Sequence, residues 1–165
     1  MPDNIARLPS RPSRPTIEID GAQKPLLEAA LLEYALADAI DGIANAELRF
    51  GNWGGEQPGF QFFDRQTLDF GKTICIRQAG EVLFQGRITA LSASYPQGAP
   101  PEFTVLAEDR LQDLRMVRRT RSFAAQGLAD IARSIAADHG LQPDISVSGP
   151  TWASLAQVAQ SDLAF

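Results

Sequence analysis

The chain has 165 residues, 44% of them apolar and 21% charged, which suits one compact domain or one and a half and argues against disorder. A net charge of -5 gives no chain-wide field that would draw in nucleic acid or an anionic membrane. The single cysteine, Cys75, cannot form an internal disulfide and has no metal-ligand spacing; no segment approaches the ~18 consecutive apolar residues of a membrane-spanning helix, and residues 1–16 lack the apolar core of an export signal.

Residues 1–15 read as a disordered or clamping arm, because Pro9, Pro12 and Pro15 prevent regular helix and ladder hydrogen bonding. Thr16-Ile17-Glu18-Ile19-Asp20 alternates as a strand and stops at Gly21. Leu26 to Ile43 is in conflict with itself. Its Leu, Ala and Glu content favours a helix, whereas Leu26, Ala30, Leu32, Tyr34 and Leu36 lie on one face at period two. Ala46 to Phe50 reads as a strand, and the glycine-rich stretch from Gly51 to Gly59 as a loop. Thr73 to Arg77 alternates, Gln78-Ala79-Gly80 turns, and Glu81 to Tyr95 forms a long return strand in which Gly86 marks a bulge or bend. Pro96 to Pro101 turns again before a strand over Glu102 to Ala107. Several strands joined by short turns predict an antiparallel sheet or small barrel.

After Asp109 the character changes. Leu111 to Val117 reads as a short helix. Leu128, Ile131 and Ile135 make the stripe of a second helix, which Gly140 ends in a left-handed cap and Pro143 keeps from continuing. Ile145 and Val147 suggest a short strand. Thr151 is placed to cap a last helix with Leu155 and Val158 on one face. That helix carries no stop signal before Phe165, so the chain is expected to be part of a longer polypeptide.

Little in the chain points to catalysis. Gly71-Lys72-Thr73 imitates the end of a phosphate-binding loop, but Gln66 stands where the motif needs its first glycine, and a strand follows instead of a helix. His139 is the single histidine and is expected in the last turn of its helix, where an imidazole offsets the dipole. Cys75 reads as a small buried side chain. Asp64, Asp69, Glu108 and Asp109 supply carboxylates without any pairing that the sequence establishes. Trp53, Phe60, Phe62 and Phe63 fill a core or a subunit interface more often than they form a sugar platform. The unusual local feature is the cluster Arg115, Arg118, Arg119 and Arg121, read first as solvated or intramolecular pairing, then as a subunit contact, and last as anion binding. These four arginines and Trp53 are the candidate protein-interface residues. No catalytic, cofactor-binding or metal-binding residue is assigned, and no cofactor is expected.

Asp69-Phe70-Gly71-Lys72 through Leu83-Phe84-Gln85-Gly86-Arg87-Ile88, then Phe103 to Ala107 with Asp109-Arg110, resembles the phage late control D family, which includes the hub part of type VI secretion spike proteins (VgrG). The likeness continues through Leu114-Arg115, Arg118 to Phe123, His139-Gly140-Leu141 and Gln157 to Phe165, and so covers most of residues 16–165. Asn52-Trp53-Gly54 and its glycine-rich loop are closer to hubs of phage tails and injection systems than to secretion spikes.

The resemblance implies an α+β chain: an antiparallel, tail-tube-like β-barrel over residues 16–110, followed by a smaller helical or αβ segment, 111–165, that begins a further domain. It makes Leu27–Leu36 a barrel strand. It also implies a structural role and no enzymatic one: a baseplate hub joining tail tube to spike, homotrimeric at full length, made in the cytoplasm and assembled into a virion or injection particle. Nucleic acid and direct membrane insertion are not expected. This chain alone, with one barrel, is expected to be monomeric or weakly self-associating, because a trimer reaches pseudo-sixfold symmetry only if each subunit brings two barrels. A particle-borne cell-wall hydrolase and a carbohydrate-binding barrel are the alternatives.

Overall fold

A computed structural model describes residues 14–165 apart from Ala39, Asp41 and Gln57; the expected N-terminal arm therefore lies, up to residue 13, outside the described residues. Two compact units divide the chain, the first ending at Asp109 and the second running from Arg110 to Phe165.

The first unit contains strands β1 (Thr16–Ile19), β2 (Ala22–Gln23), β3 (Leu31–Ala37), β4 (Asn45–Gly51), β5 (Trp53–Gly54), β6 (Gly59–Phe60), β7 (Thr73–Gln78), β8 (Glu81–Ser94) and β9 (Glu102–Glu108), with helix α1 (Pro25–Ala30) before β3. Seven strands form one antiparallel sheet in the order β2-β1-β7-β8-β9-β4-β3, and β5 and β6 make a separate short hairpin. Alternation dictates the sheet's inner face. Ile17 and Ile19, Ile74 and Ile76, Phe84 and Ile88, Val105 and Ala107, and Leu48 and Phe50 point inward and join Leu27, Phe62 and Leu68 in one core.

No second sheet covers that face among the described residues, so the sheet curls around its own core. Tyr34 on β3 reaches β7, where its hydroxyl donates to Gln78 Oε1 at 3.1 Å. No ladder joins β3 to β1 or β2 among the described residues. Instead α1 stands at the seam, with Leu27 fully buried and Glu28 Oε1 accepting from Ile17 N at 3.0 Å. The barrel-like enclosure is completed by a helix and side chains rather than by backbone pairing.

The contested segment divides. Pro25, at the first turn where its missing N–H costs nothing, opens the six-residue helix. From Leu31 the free edge of β4 takes the chain into a strand, with Tyr34 opposite Leu48 and Leu36 opposite Ala46. Leu27 to Ala30 is thus helical, against the expectation of a strand over Leu27–Leu36, and the remainder follows it. Gly86 is not a bulge: it pairs in register with Ile74, and the register shifts fall on either side of it. A Cβ there would overlap the Glu108 carbonyl oxygen and come within 2.7 Å of the Phe84 ring, so glycine is required by close packing.

The second unit contains a 3-10 helix (Arg110–Arg115), β10 (Arg118–Gly127), α2 (Leu128–Asp138) and β11 (Thr151–Ser161). The stripe helix ends as expected. Gly140, with φ of 61°, donates to Ala137 O at 3.0 Å, and Leu141 donates to Ala136 O at 2.9 Å. The short helix expected over Leu111–Val117 is present as the 3-10 helix Arg110–Arg115. Two other expectations fail: Ile145 and Val147 lie outside any strand, and the last helix is the strand β11, paired antiparallel with β10. Strand alternation explains the misreading: Leu155 faces Phe123, Gln157 is fully buried and Val158 points outward, followed by a bulge with Ala159 at φ 49°.

Candidate functional site

The arginine cluster separates into two pairs. Arg115, at the end of the 3-10 helix, and Arg118 are exposed; Arg118 Nη1 donates to Ala159 O at 3.2 Å. Arg119 and Arg121 alternate with exposed residues on β10 and turn toward Asp162, whose side chain is 1% exposed. Arg121 donates through Nη2 to Asp162 Oδ1 at 2.8 Å, through Nη1 to Asp138 Oδ2 at 2.7 Å, and through Nε to Gln157 Oε1 at 2.8 Å. His139 Nε2 lies 2.7 Å from Asp162 Oδ2, Arg119 Nε lies 3.5 Å from the same oxygen, and Gln157 Nε2 donates to Asp162 Oδ1 at 2.8 Å. Burial pushes the Asp162 carboxyl up. The hydrogen bonds from His139 and Gln157, with the charges of Arg121 and Arg119, outweigh burial and hold it below the usual carboxylate range. Three sequence segments that look unrelated (Arg118–Phe123, His139–Leu141 and Gln157–Phe165) therefore meet in one ionic network. Phe123 stacks on Phe165 beside it, at 5.6 Å and 15°.

Trp53 belongs to a different surface, on the first unit. It meets Phe60 edge to face at 5.4 Å, Phe60 meets Phe63 at 4.9 Å, and Phe63 packs against the buried Phe103 at 5.5 Å. Asn52 anchors the loop: its Oδ1 accepts from Gln61 N at 3.1 Å and Phe62 N at 2.9 Å, and its own N–H donates to Pro101 O at 2.8 Å. Its importance was not visible in the sequence beyond its place before Trp53.

The acidic candidates make local bonds. Asp69 accepts from Arg65 Nη2 at 2.6 Å, and the Arg65 hydrogen bond, helped by the Phe70 N–H, lowers its pKa. Asp64 accepts from Gln66 N at 2.9 Å, and Asp109 from Ala44 N at 3.0 Å. A general acid needs a raised pKa, so the lowered Asp69 and Asp162 are poor candidates for that role. The second unit has a cavity of about 500 Å³ walled by Leu111, Leu128, Ile135, Leu141 and Phe165; Asp162 is the one ionisable residue in its lining. Among the described residues no group of three or more His, Cys, Asp or Glu side chains is placed to hold a metal ion, and no helix is long and apolar enough to cross a membrane. Cys75 is buried on β7, which pushes its thiol pKa up.

The family model described as Alg8 N-terminal domain matches residues 11–165. The chain belongs to that family. No curated protein matches the sequence. Solved structures do match this Alg8 N-terminal domain chain in fold. The 43 kDa tail protein of prophage MuSo2 from Shewanella oneidensis is 13% identical, with a TM-score of 0.72 over 90% of this chain and 45% of its own. The E. coli c3393 protein is described as a type VI secretion component structurally similar to the phage T4 tail proteins gp27 and gp5; it is 13% identical, with a TM-score of 0.66 over 89% of this chain and 40% of its own. A tail protein from Neisseria meningitidis MC58 is 14% identical, with a TM-score of 0.53 over 76% of this chain and 33% of its own. The chain thus spans less than half the length of each of these structures. The fold is that of phage-tail and secretion-tail proteins, an α+β chain dominated by antiparallel sheet.

Proposed function

We propose that this chain is part of the hub of a phage-like contractile tail or injection machine, where it joins the tail tube to the spike within a trimer. The late control D and VgrG resemblance belongs to the same proposal, as do synthesis in the cytoplasm and assembly into a virion or injection particle. The observation that carries it is the likeness to a tail protein over 90% of the chain, which takes in both compact units in one order. The first unit would be the hub barrel, and the second would lead into the next domain.

The sheet supports a place in a ring. β3 is a seven-residue edge strand with Leu32 and Leu36 exposed at 56% and 36%, an edge that isolated proteins usually blunt and assemblies cover. Arg115, Arg118 and Trp53 remain exposed for subunit contacts, while Arg119 and Arg121 serve the second unit's own network.

Cross-linking within purified particles tests the reading. Cross-links from this chain to both tube and spike subunits are expected, and particles that lack the chain would refute it. Light scattering should find this chain alone monomeric or weakly associated, since one barrel per subunit cannot build a pseudo-hexamer; a tight trimer would overturn that argument. A hydrolase reading requires that substituting Asp64, Asp69, Glu108 and Asp109 abolish a cell-wall-cleaving activity, whereas a hub has none to lose.

A further inference from the structure

Strand β3 gives the core of the first unit less than the other long strands do. β1, β4, β7, β8 and β9 each bury two or more side chains, whereas Leu31–Ala37 offers the half-buried Leu31 and Tyr34. Its polar anchors are modest. The Tyr34 hydroxyl donates to Gln78, and Glu33 Oε2 accepts from Arg49 Nη2 at 2.6 Å in an exposed pair of the kind that adds little. The ladder to β4 is irregular between Leu31 and Glu33. Segments with few buried contacts open before the rest of a protein unfolds.

The residues of β3 favour another conformation. Leu31, Leu32, Glu33, Ala35, Leu36 and Ala37 are strong helix formers, and alanine and glutamate are depleted in strands. Helix α1 runs straight into this stretch and stops without a local stop signal, since residues 26–37 contain neither glycine nor proline. At Leu31 φ is -63°, already helical, and ψ, at 120°, is what departs from the helical value of about -42°.

A helix continued through Ala37 would also keep its apolar side together. Leu27, Ala30, Leu31 and Tyr34 stand at i, i+3, i+4 and i+7, one helical stripe. They are the residues of this segment that meet the core now, Leu27 buried and the other three packed against it. The contacts that β3 makes with the core therefore have a helical counterpart.

We propose that Leu31–Ala37 is a two-state segment, a strand on β4 in one state and the continuation of α1 in the other, with Leu31 as its hinge. In the strand state it covers the edge of β4. In the helical state it leaves the backbone N–H and C=O groups along that edge, from Asn45 to Gly51, open to a strand of another chain. The switch is a property of this chain alone, so its failure leaves the hub reading standing.

Carbon-13 saturation-transfer NMR on the full chain tests it. A minor state populated at about 1% should carry helical Cα shifts from Leu32 to Leu36. Tyr34→Phe, which removes the Gln78 hydrogen bond and keeps the ring, should raise that population about fivefold. Ala35→Val with Ala37→Thr, at exposed positions where β-branching favours a strand, should lower it about tenfold. Without denaturant, the β3 amides bonded to β4 should exchange about a hundredfold faster than those of β7, β8 and β9. A minor state with coil shifts overturns the proposal in favour of simple fraying. So does the absence of a minor state, a helical population indifferent to both variants, or exchange of β3 that waits for global unfolding of the first unit.

Discussion

Replacing Asp162 with alanine should unfold the second unit far more readily than any surface charge change. The side chain is 1% exposed and accepts hydrogen bonds from Arg121, Gln157 and His139 at 2.7–2.8 Å. Removing one partner of a buried ionic group costs ~3–5 kcal/mol, because the charges left behind lose their compensation. The lower end applies here. Arg121 keeps Asp138 and is 23% exposed, and Gln157 keeps the Gln160 carbonyl, so the expected loss is about 3 kcal/mol. Trp152, on β11, reports this unit in urea titrations made in a Trp53→Phe background. With m of about 1 kcal/mol/M for so small a unit, the midpoint should fall by roughly 3 M or the transition should vanish. A loss below about 0.5 kcal/mol would refute the reasoning and place the network among ordinary surface ion pairs.

The pH dependence gives an independent check. The folded carboxyl titrates below its ordinary value, so its contribution is complete above the unfolded pKa of about 3.9 and is lost as pH falls through the lower, folded one. Asp162→Asn removes that contribution at every pH. The gap between the two proteins should therefore be widest near neutrality and close in acid; a constant gap from pH 7 to pH 3 would show that the lost stability is not that of the carboxylate.

Other substitutions test the first unit, followed through Trp53 in a Trp152→Phe background. Gly86→Ala should cost about 1–3 kcal/mol, because the new methyl meets the Glu108 carbonyl and the Phe84 ring; an unchanged urea midpoint would mean that β8 shifts freely. Leu48→Ala opens a hole in a fully buried position and should cost ~2–5 kcal/mol by the same titration. Asn52→Ala removes the acceptor for two backbone N–H groups and should cost about 2 kcal/mol while increasing amide exchange at Gln61 and Phe62.

The strands β1, β4, β7, β8 and β9 were legible because each buries apolar side chains at period two against a single core. β10 was not, since its inward positions before Phe123 are the half-buried Arg119 and Arg121, and hydrophobic alternation has no place for inward-facing guanidinium groups. β11 was misread for a related reason: one inward position is Gln157, and Leu155 and Val158 stand three residues apart, a helical spacing, although the strand puts them on opposite faces. The α1–β3 segment shows propensity and sheet geometry each prevailing where it is stronger, helix at the Pro25 start and strand beside β4. Trp53 reads as filling a core or an interface; its ring meets Phe60, near in sequence, but the rings behind Phe60 and Phe63 are Tyr95 and Phe103, which no local pattern brings there.

The four arginines do not form a single surface, because two of them complete the packing of the second unit. The second unit's apolar core is small, with Phe123, Ile131 and Ile135 as its fully packed members. A strand pair and one helix with so little to bury gain limited hydrophobic stabilisation. Arg121 supplies what burial does not. Its guanidinium lies 5.0 Å over the Phe123 ring, bridges to Asp138 at the end of α2, and holds Asp162 beyond the end of β11. One planar group with five donors thus fixes three elements at once, a geometry that a lysine cannot reproduce. Arg121→Lys should accordingly weaken the Trp152 transition by nearly as much as Asp162→Ala, whereas Arg118→Lys, at an exposed position with a single carbonyl partner, should leave it within about 0.5 kcal/mol. If the two lysine variants were equally mild, the network would be decoration, and the interface reading of all four arginines would regain its force.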